Sequence, residues 1–554
     1  MNLDHTTDLL VVGTGAAGLT AALRARADGL DVTVIEKSDK IGGTSALSGG
    51  GLWIPDNVVA RAAGVRDSIE DAATYLDHVV DDGPWSTPAR RRAYLATGPR
   101  MVRFLIDRGA RFIYADGYPD YYAEQPGGHP RGRSIEPAVF NGKDLGTWRS
   151  ALRSYGGPPI ALHNHEVRQL VLAGRSTTGA RTAARALGVR TLGRMIAGQI
   201  PLTMGASLVG QLLLLVRRAG ISPLTETPMI ELDTTPTGVV TGAVVERQGR
   251  RTHIHARRGV LLCAGGFARN PAMRDLYQEQ PITAGWSSAS PDDTGDGVRA
   301  GMAIGAATAL LDEAWWGPST ILPNGSAHFL VWERSLPGSI IVDSSGQRFM
   351  NESGPYVDCG HQQYQRHRNL PAIPAWMIFD ARHRRRYPIG MLPPGFTPGW
   401  AIQSGFLRRS GDLSDLAHQC DIDPDGLCAS VERINAFARD GNDRDFHRGA
   451  HIYDRYYSDD RIKPNPTLGP IVEPPFYALA IYPGDLGTKG GLLTDEHARV
   501  LNQQHHPIPG LFAAGNTSAS VMGRTYPGPG ATLGPALAFA YIAAGHAATH
   551  PVTT

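Results

Sequence analysis

The sequence predicts an α/β protein, a discontinuous Rossmann-like domain interrupted by an inserted α+β cap domain. Three observations predict it. A strand, glycine turn, helix and second strand open the chain; the same strand-and-glycine pattern returns near its end; and a stretch rich in tryptophan, proline and short strands lies between. With 554 residues the chain can bury two substantial cores. The expected division is 1–315 and 485–554 for the discontinuous domain and 316–484 for the cap.

The first unit is "DLLVVGTGAAGLTAALRARADGLDVTVIEK", residues 8–37. A buried strand leads into Gly13-Thr14-Gly15-Ala16-Ala17-Gly18, an alanine- and leucine-rich helix follows, and a second strand ends at Glu36. Gly13 permits the tight turn, Gly15 lets backbone reach a pyrophosphate, and Gly18 lets helix and strand pack closely. The helix N-terminus turns N–H groups and a positive dipole end toward the phosphates. Glu36 stands where a carboxylate accepts hydrogen bonds from ribose hydroxyls. This register predicts a bound dinucleotide.

Next comes "KIGGTSALSGGGLWIP" (40–55), a glycine- and hydroxyl-rich loop. Residues 68–108 have helical apolar spacing. "VVTGAVVERQGRRTHIHARRGVLLCAGGF" (239–267) reads as a β-meander turning at Gln248-Gly249, then a buried strand and a second glycine turn. "DDTGDGVRAG" (292–301) opens another helix. After about residue 313 the cap pattern begins, and it ends near Pro483. Residues 510–515 form a strand entering a glycine turn, and 529–544 a helix.

Composition excludes several classes. A net charge of +2 implies no general affinity for nucleic acid. The four cysteines, Cys263, Cys359, Cys420 and Cys428, contain no CxxC pair and no zinc set; they read as isolated buried thiols of a reducing compartment, so the expected location is the cytoplasm. His328, His361 and His367 make no metal site. The N-terminus reads as a first strand, not a signal peptide, and no segment reaches the ~20 apolar residues that span a bilayer. Residues 163–203, inside a basic amphipathic insert at 160–205, carry six arginines against one acid, Glu166. That pattern leaves two states open: a solvated helical hairpin, or a peripheral contact with the inner face of a membrane.

The GGTSALSGG pattern of the 40–55 loop resembles the flavoproteins related to fumarate reductase and succinate dehydrogenase. The resemblance implies FAD, with this loop running along it toward the isoalloxazine ring. It assigns to the cofactor Gly13, Gly15, Ala16, Ala17, Glu36 and Lys37 from the first unit, and Gly43, Thr44, Ser45, Ser48, Gly49 and Gly50 from the loop. Ala264, Gly265 and Asp296 follow from the middle of the chain, and Gly515, Asn516 and Leu533 from its end. The loop lacks the histidine that tethers FAD in some relatives, so the flavin is expected to be noncovalent.

Three further stretches narrow the resemblance: "GYPDYYAEQPGG" (117–128), "RFMNESGPY" (348–356) and "TYPGPG" (525–530). Together with "DLGTKGGL" (485–492) they are similar to 3-ketosteroid Δ1-dehydrogenases over nearly the whole chain. Carried across by motif, Tyr526 and the Gly530 N–H polarise a steroid C3 carbonyl, Tyr356 removes a proton from C2, and Tyr121 hydrogen-bonds to that base. Tyr122 is adjacent, and a one-residue slip would exchange it with Tyr121. Tyr118 and Phe329 become walls of the steroid pocket. The chemistry is coherent: a C2 proton becomes acidic only if the developing enolate is stabilised, and a tyrosine base needs its phenol pulled below about 10. A quinone-type electron acceptor is expected, because no nicotinamide site is evident. Arg334 and Glu352 could pair across the cap. The competing readings are a Δ4-desaturating ketosteroid dehydrogenase, a fumarate-reductase-like enoate reductase, and an FAD-fold binding protein without redox activity. The last is opposed by the intact set Gly13, Gly15, Glu36 and Gly43.

Overall fold

The computed structural model describes residues 5–154, 156 and 160–550. At its centre is a five-stranded sheet in the order Arg499–Leu501, Pro507–Ala513, Val260–Leu262, Leu9–Val12, Val32–Ile35. The last four strands are parallel, and Arg499–Leu501 is an antiparallel edge. Leu9–Val12 is buried along its whole length, as a parallel strand covered on both faces should be. Leu9 and Val11 face one core with the helices Ala16–Ala27 and Leu533–Thr549. Leu10 and Val12 face a second core, shared with Val240, Ala243, Val245 and Ile254 of the β-meander. That meander is Met229–Thr234, Val240–Arg247 and Arg250–Ala256, with His5–Thr7 as a parallel edge. It turns at Gln248-Gly249, both at positive φ, as a tight two-residue hairpin requires.

The central sheet draws strands from residues 9–35, 260–262 and 499–513, so the chain leaves it and returns. Between them a six-stranded sheet runs Ala327–Phe329, Ala314–Ile321, Phe476–Thr488, Ala375–Phe379, Ser339–Val342, with Arg408–Ser410 also on Phe476–Thr488. Its side chains alternate. Ile340, Val342, Ile378 and Ala478 pack with Val431, Ile434 and Phe437 of the helix Pro424–Asp440, whereas Ile341, Met377, Phe379 and Leu479 fill a core on the other face.

Some elements differ from the sequence expectation. The 40–55 loop contains a short helix, Gly43–Leu47, entered through Gly42 at φ 112°. The helical stretch 68–108 is two helices: Ile69–Val79, capped by the Ser68 side chain, and Pro88–Asp107, capped by Thr87 with proline in its first turn. The last helix starts at Leu533 rather than near 529, because Gly530 sits at φ 95° and cannot be a helical residue. Residues 163–203 are mostly helical, and Thr177–Ala183, Ala184–Leu192 and Gly193–Ile196 follow one another without a break, the middle part as a π-helix. Val167, Val171 and Ala186 pack on Leu336 and Tyr387. Arg190 is paired with Glu166 and Arg175 with Asp459.

Candidate active site

One long cavity runs from the first glycine turn to the C-terminal turn. At its first end the backbone explains each glycine separately. A Cβ on Gly13 would lie 2.3 Å from the Cys263 carbonyl oxygen, and one on Gly18 would lie 2.1 Å from the Gly13 carbonyl oxygen. Gly15 and Gly43 are different: a Cβ on Gly43 would meet no protein atom within 4 Å and one on Gly15 only the Ser45 hydroxyl at 3.4 Å, and both line the cavity. The Glu36 carboxylate is fixed at the same end by the Thr14 N–H and hydroxyl (3.2 and 2.6 Å) and the Ser38 N–H at 3.1 Å. Lys37 pairs with Asp296 at 2.6 Å.

Of the residues assigned to the cofactor from sequence, all line this cavity except Ala16. Ala16 is buried beneath it, its N–H taken by the Ser45 hydroxyl at 3.2 Å. Residues without a sequence signal join the lining, among them Arg153, Asn164, Met229 and Tyr457. Asp293 also lines it; burial pushes its carboxyl up to about 7, and its Oδ2 has no protein partner. The DDTGDG motif could have pointed to Asp293, whereas nothing local marks the others. A glycine turn opening a helix N-terminus, a fixed carboxylate at the strand end and one long cavity lined by both fit an extended dinucleotide.

At the other end three phenols meet. The Tyr121 hydroxyl donates to the Tyr356 hydroxyl at 2.9 Å. The Tyr526 ring lies 5.3 Å from that of Tyr121 and 5.1 Å from that of Tyr356. The Tyr526 hydroxyl accepts from Thr532 at 3.0 Å, and the Gly530 N–H faces it. Burial pushes the Tyr526 phenol upward, which keeps it a proton donor. Burial also raises Tyr356 well above the ordinary phenol value. Tyr122 turns elsewhere: its hydroxyl donates to Asp358 at 2.9 Å. The two adjacent tyrosines thus have different partners, and Tyr121 is the one beside Tyr356.

Backbone contacts hold the turn that carries Tyr526. The Pro527 carbonyl accepts from the Tyr121 N–H at 2.9 Å and the Tyr75 hydroxyl at 2.6 Å. A Cβ on Gly528 would strike the Trp53 indole, and one on Gly530 would lie 2.5 Å from the Gly51 carbonyl. Lys489, buried in the DLGTKGGL stretch, donates to the Thr525 carbonyl at 2.7 Å and lies 4.5 Å from the Trp315 ring, which contacts Tyr526. Phe329 meets Tyr356 edge-on at 5.2 Å. Tyr118 is more than an apolar wall: it stacks on Tyr456 at 4.2 Å and its hydroxyl bonds that of Tyr457 at 2.9 Å.

Arg334 and Glu352 are close, but not as an ion pair. Arg334 donates to the Glu352 main-chain oxygen, and the Glu352 carboxylate is held by Arg348 and Arg448. His328 and His361 bind Glu333 and Glu313, and His367 accepts from the Ala372 N–H. Among the described residues no His, Cys, Asp and Glu cluster is arranged for a metal, and no helix is long and apolar enough to cross a membrane.

Comparison with known proteins matches residues 8–533 to a family of FAD binding domains. The chain is 44% identical to 3-oxosteroid 1-dehydrogenase of Mycobacterium tuberculosis (strain H37Rv), over 98% of each chain. It is 37% identical to 4-oxocyclohexanecarboxylate 2-dehydrogenase of Sinomonas cyclohexanicum, covering 97% of this chain and 92% of that one. Its fold superposes with a TM-score of 0.94 on 3-ketosteroid Δ1-dehydrogenase from Sterolibacterium denitrificans in complex with 1,4-androstadiene-3,17-dione, at 41% identity over 98% of this chain and 99% of the other.

Proposed function

We propose that this chain, which belongs to the family of FAD-binding 3-oxosteroid 1-dehydrogenases, introduces the 1,2 double bond into 3-ketosteroids. The observation that carries the reading is the meeting of Tyr121, Tyr356 and Tyr526 at one end of a dinucleotide-sized cavity. FAD, held without a covalent bond by the glycine turns and Glu36, supplies the acceptor for the hydride that leaves C1. Tyr526 and the Gly530 N–H donate to the C3 carbonyl oxygen, where negative charge grows as the C2 proton leaves. Tyr356 takes that proton, and the Tyr121 hydroxyl supports the phenolate by hydrogen bonding. Tyr118 and Phe329 wall the rings. The stretch 316–484 acts as the cap, because it contributes Phe329, Val331, Tyr356 and Tyr457 to a cavity otherwise lined by the flanking residues. A quinone-type molecule reoxidises the flavin.

The basic insert supports peripheral membrane contact. Val189 and Ile196 are 73% and 79% exposed, next to exposed Leu187, Leu192 and Met195, and arginines alternate with them in sequence. Such a surface suits the boundary of an anionic bilayer.

The test is an anaerobic titration of the yellow holoenzyme with a 3-keto-4-ene steroid, with the product identified. The expected result is stoichiometric bleaching of the flavin band and a 3-keto-1,4-diene. A flavin that ignores 3-ketosteroids but bleaches with 4-oxocyclohexanecarboxylate would move the chain to the small-ketone relatives.

A further inference from the structure

Tyr356 has to accept a proton, yet burial pushes its phenol upward and the phenols of Tyr526, Tyr118 and Tyr453 push the same way. A group that favours the ionised form is required. Tyr121 helps through its hydrogen bond, but Tyr121 is neutral. Arg334 brings charge. It is 1% exposed, and its guanidinium carbon lies 5.9 Å from the centroid of the Tyr356 ring.

The partners of Arg334 are unusual for a buried cation. Nη1 donates to the main-chain oxygens of Glu352 (2.6 Å) and Gly354 (2.7 Å), and Nε to that of Leu330 (3.2 Å). These are neutral carbonyls, and Nη1 also donates to the Cys359 sulfur at 3.5 Å. Nη2 has no acceptor. The groups whose charge bears most on Arg334 are Cys359, Tyr453, Tyr121 and Tyr356, one thiol and three phenols. The Tyr453 hydroxyl is buried beside the guanidinium, which draws its phenol down against the rise that burial causes. A buried charge is costly unless an opposite charge compensates it, and these neighbours compensate it when one of them ionises.

We propose that Arg334 is a positioning residue for the base: it grips the Asn351–Pro355 turn that presents Tyr356, and it is the buried positive charge against which the Tyr356–Tyr121 pair carries one negative charge. This rests on the reading of Tyr356 as the base. The other titratable groups facing the cluster are Tyr118, Tyr453, Tyr526, Asp358 and Cys359. Burial drives Cys359 up to about 12 and raises Asp358 as well, and the Arg334 charge opposes both shifts.

The experiment follows anaerobic flavin bleaching by a 3-keto-4-ene steroid against pH in wild type, Arg334→Met and Arg334→Lys holoenzymes. The ultraviolet tyrosinate band of each is titrated in parallel. An opposite charge at this range changes an ionisation constant by roughly ten- to a thousandfold. Arg334→Met should therefore bleach slower by about that factor near neutral pH and recover as pH rises. Arg334→Lys keeps the charge and should keep the wild-type pH dependence. Equal pH profiles in wild type and Arg334→Met would overturn the proposal, as would a profile in Arg334→Lys displaced as far as that of the methionine variant. Should Arg334→Met fail to fold or hold flavin, wild type decides the matter. One tyrosine must titrate below the ordinary value of about 10 and vanish in Tyr356→Phe; its absence overturns the proposal. A wild-type enzyme that no 3-ketosteroid bleaches would instead defeat the functional reading itself.

Discussion

Tyr356→Phe separates chemistry from architecture. The ring keeps its edge contacts with Phe329 at 5.2 Å, Tyr526 at 5.1 Å and Tyr121 at 5.3 Å, so the pocket shape survives. The lost hydroxyl is the acceptor for Tyr121, and a buried hydroxyl left unpaired costs ~1–3 kcal/mol. Folded domains have ~5–15 kcal/mol in reserve, so the variant should fold and bind FAD. A positioned general base contributes roughly a hundred- to ten-thousandfold, which corresponds to about 2.7–5.5 kcal/mol of barrier. Rapid-mixing measurement of anaerobic flavin bleaching should show a loss in that range, with steroid affinity within a few-fold of wild type. Bleaching at the wild-type rate by a flavin-loaded Tyr356→Phe would refute the assignment of the base.

Removing the donor instead of the base, Tyr526→Phe should slow anaerobic bleaching by a 3-ketone about a hundred- to a thousandfold while the protein still purifies with its flavin. Gly13→Ala puts a Cβ 2.3 Å from the Cys263 carbonyl at φ 106°, so it should purify with a much lower flavin-to-protein absorbance ratio and a lower melting temperature. Asp293 gives a pH signature in flavin-stripped protein. Its folded pKa, about 7, stands above the 3.8 of a free carboxyl, so the folded chain retains a proton that the unfolded chain releases. Stability is therefore greatest below the free value and falls as pH rises toward about 7, by at most about 4 kcal/mol. Asp293→Asn should flatten that decline in denaturant titrations; an unchanged slope would show that the carboxyl does not titrate there.

The sequence was most legible where function imposes a local backbone rule. Gly18 is fixed by its contact with Gly13 inside one βαβ unit and Gly13 by the positive φ of the turn, so their roles could be read from spacing, although the carbonyl that a Cβ on Gly13 would strike belongs to distant Cys263. The turn at Gln248-Gly249 is of the same kind. Tyr121 and Tyr122 show the limit. They are neighbours of identical chemistry, and what separates them is that one reaches Tyr356, 235 residues away, and the other Asp358. No local pattern encodes that choice. Tyr457 comes to the cavity at the end of Ile452–Tyr456 through tertiary packing, and Arg334 meets the backbone of Glu352 rather than its carboxylate because Arg348 and Arg448 occupy the latter. The late start of the last helix was obscured for another reason: proline suits a first helical turn, so Pro529 reads as its start, but the contact of Gly530 with Gly51 fixes a left-handed backbone there.

The spacing of Tyr526 and Tyr356 depends on strand register. Trp315, which contacts Tyr526 at 4.9 Å, lies on Ala314–Ile321, and Phe329, which contacts Tyr356, lies on the strand hydrogen-bonded to it with Ser319 opposite Phe329. Gly317 has no side chain to obstruct the Phe329 ring, which would lie 2.2 Å from its Cβ. One antiparallel pair thus buttresses both phenols from behind. Because a slip of one residue would turn Trp315 and Phe329 to the opposite face, the pairing that stabilises the sheet also sets the distance between Tyr356 and Tyr526. A Gly317→Ala change should accordingly disturb turnover through Phe329 and Tyr356 while leaving the nucleotide end of the cavity, on the other sheet, intact.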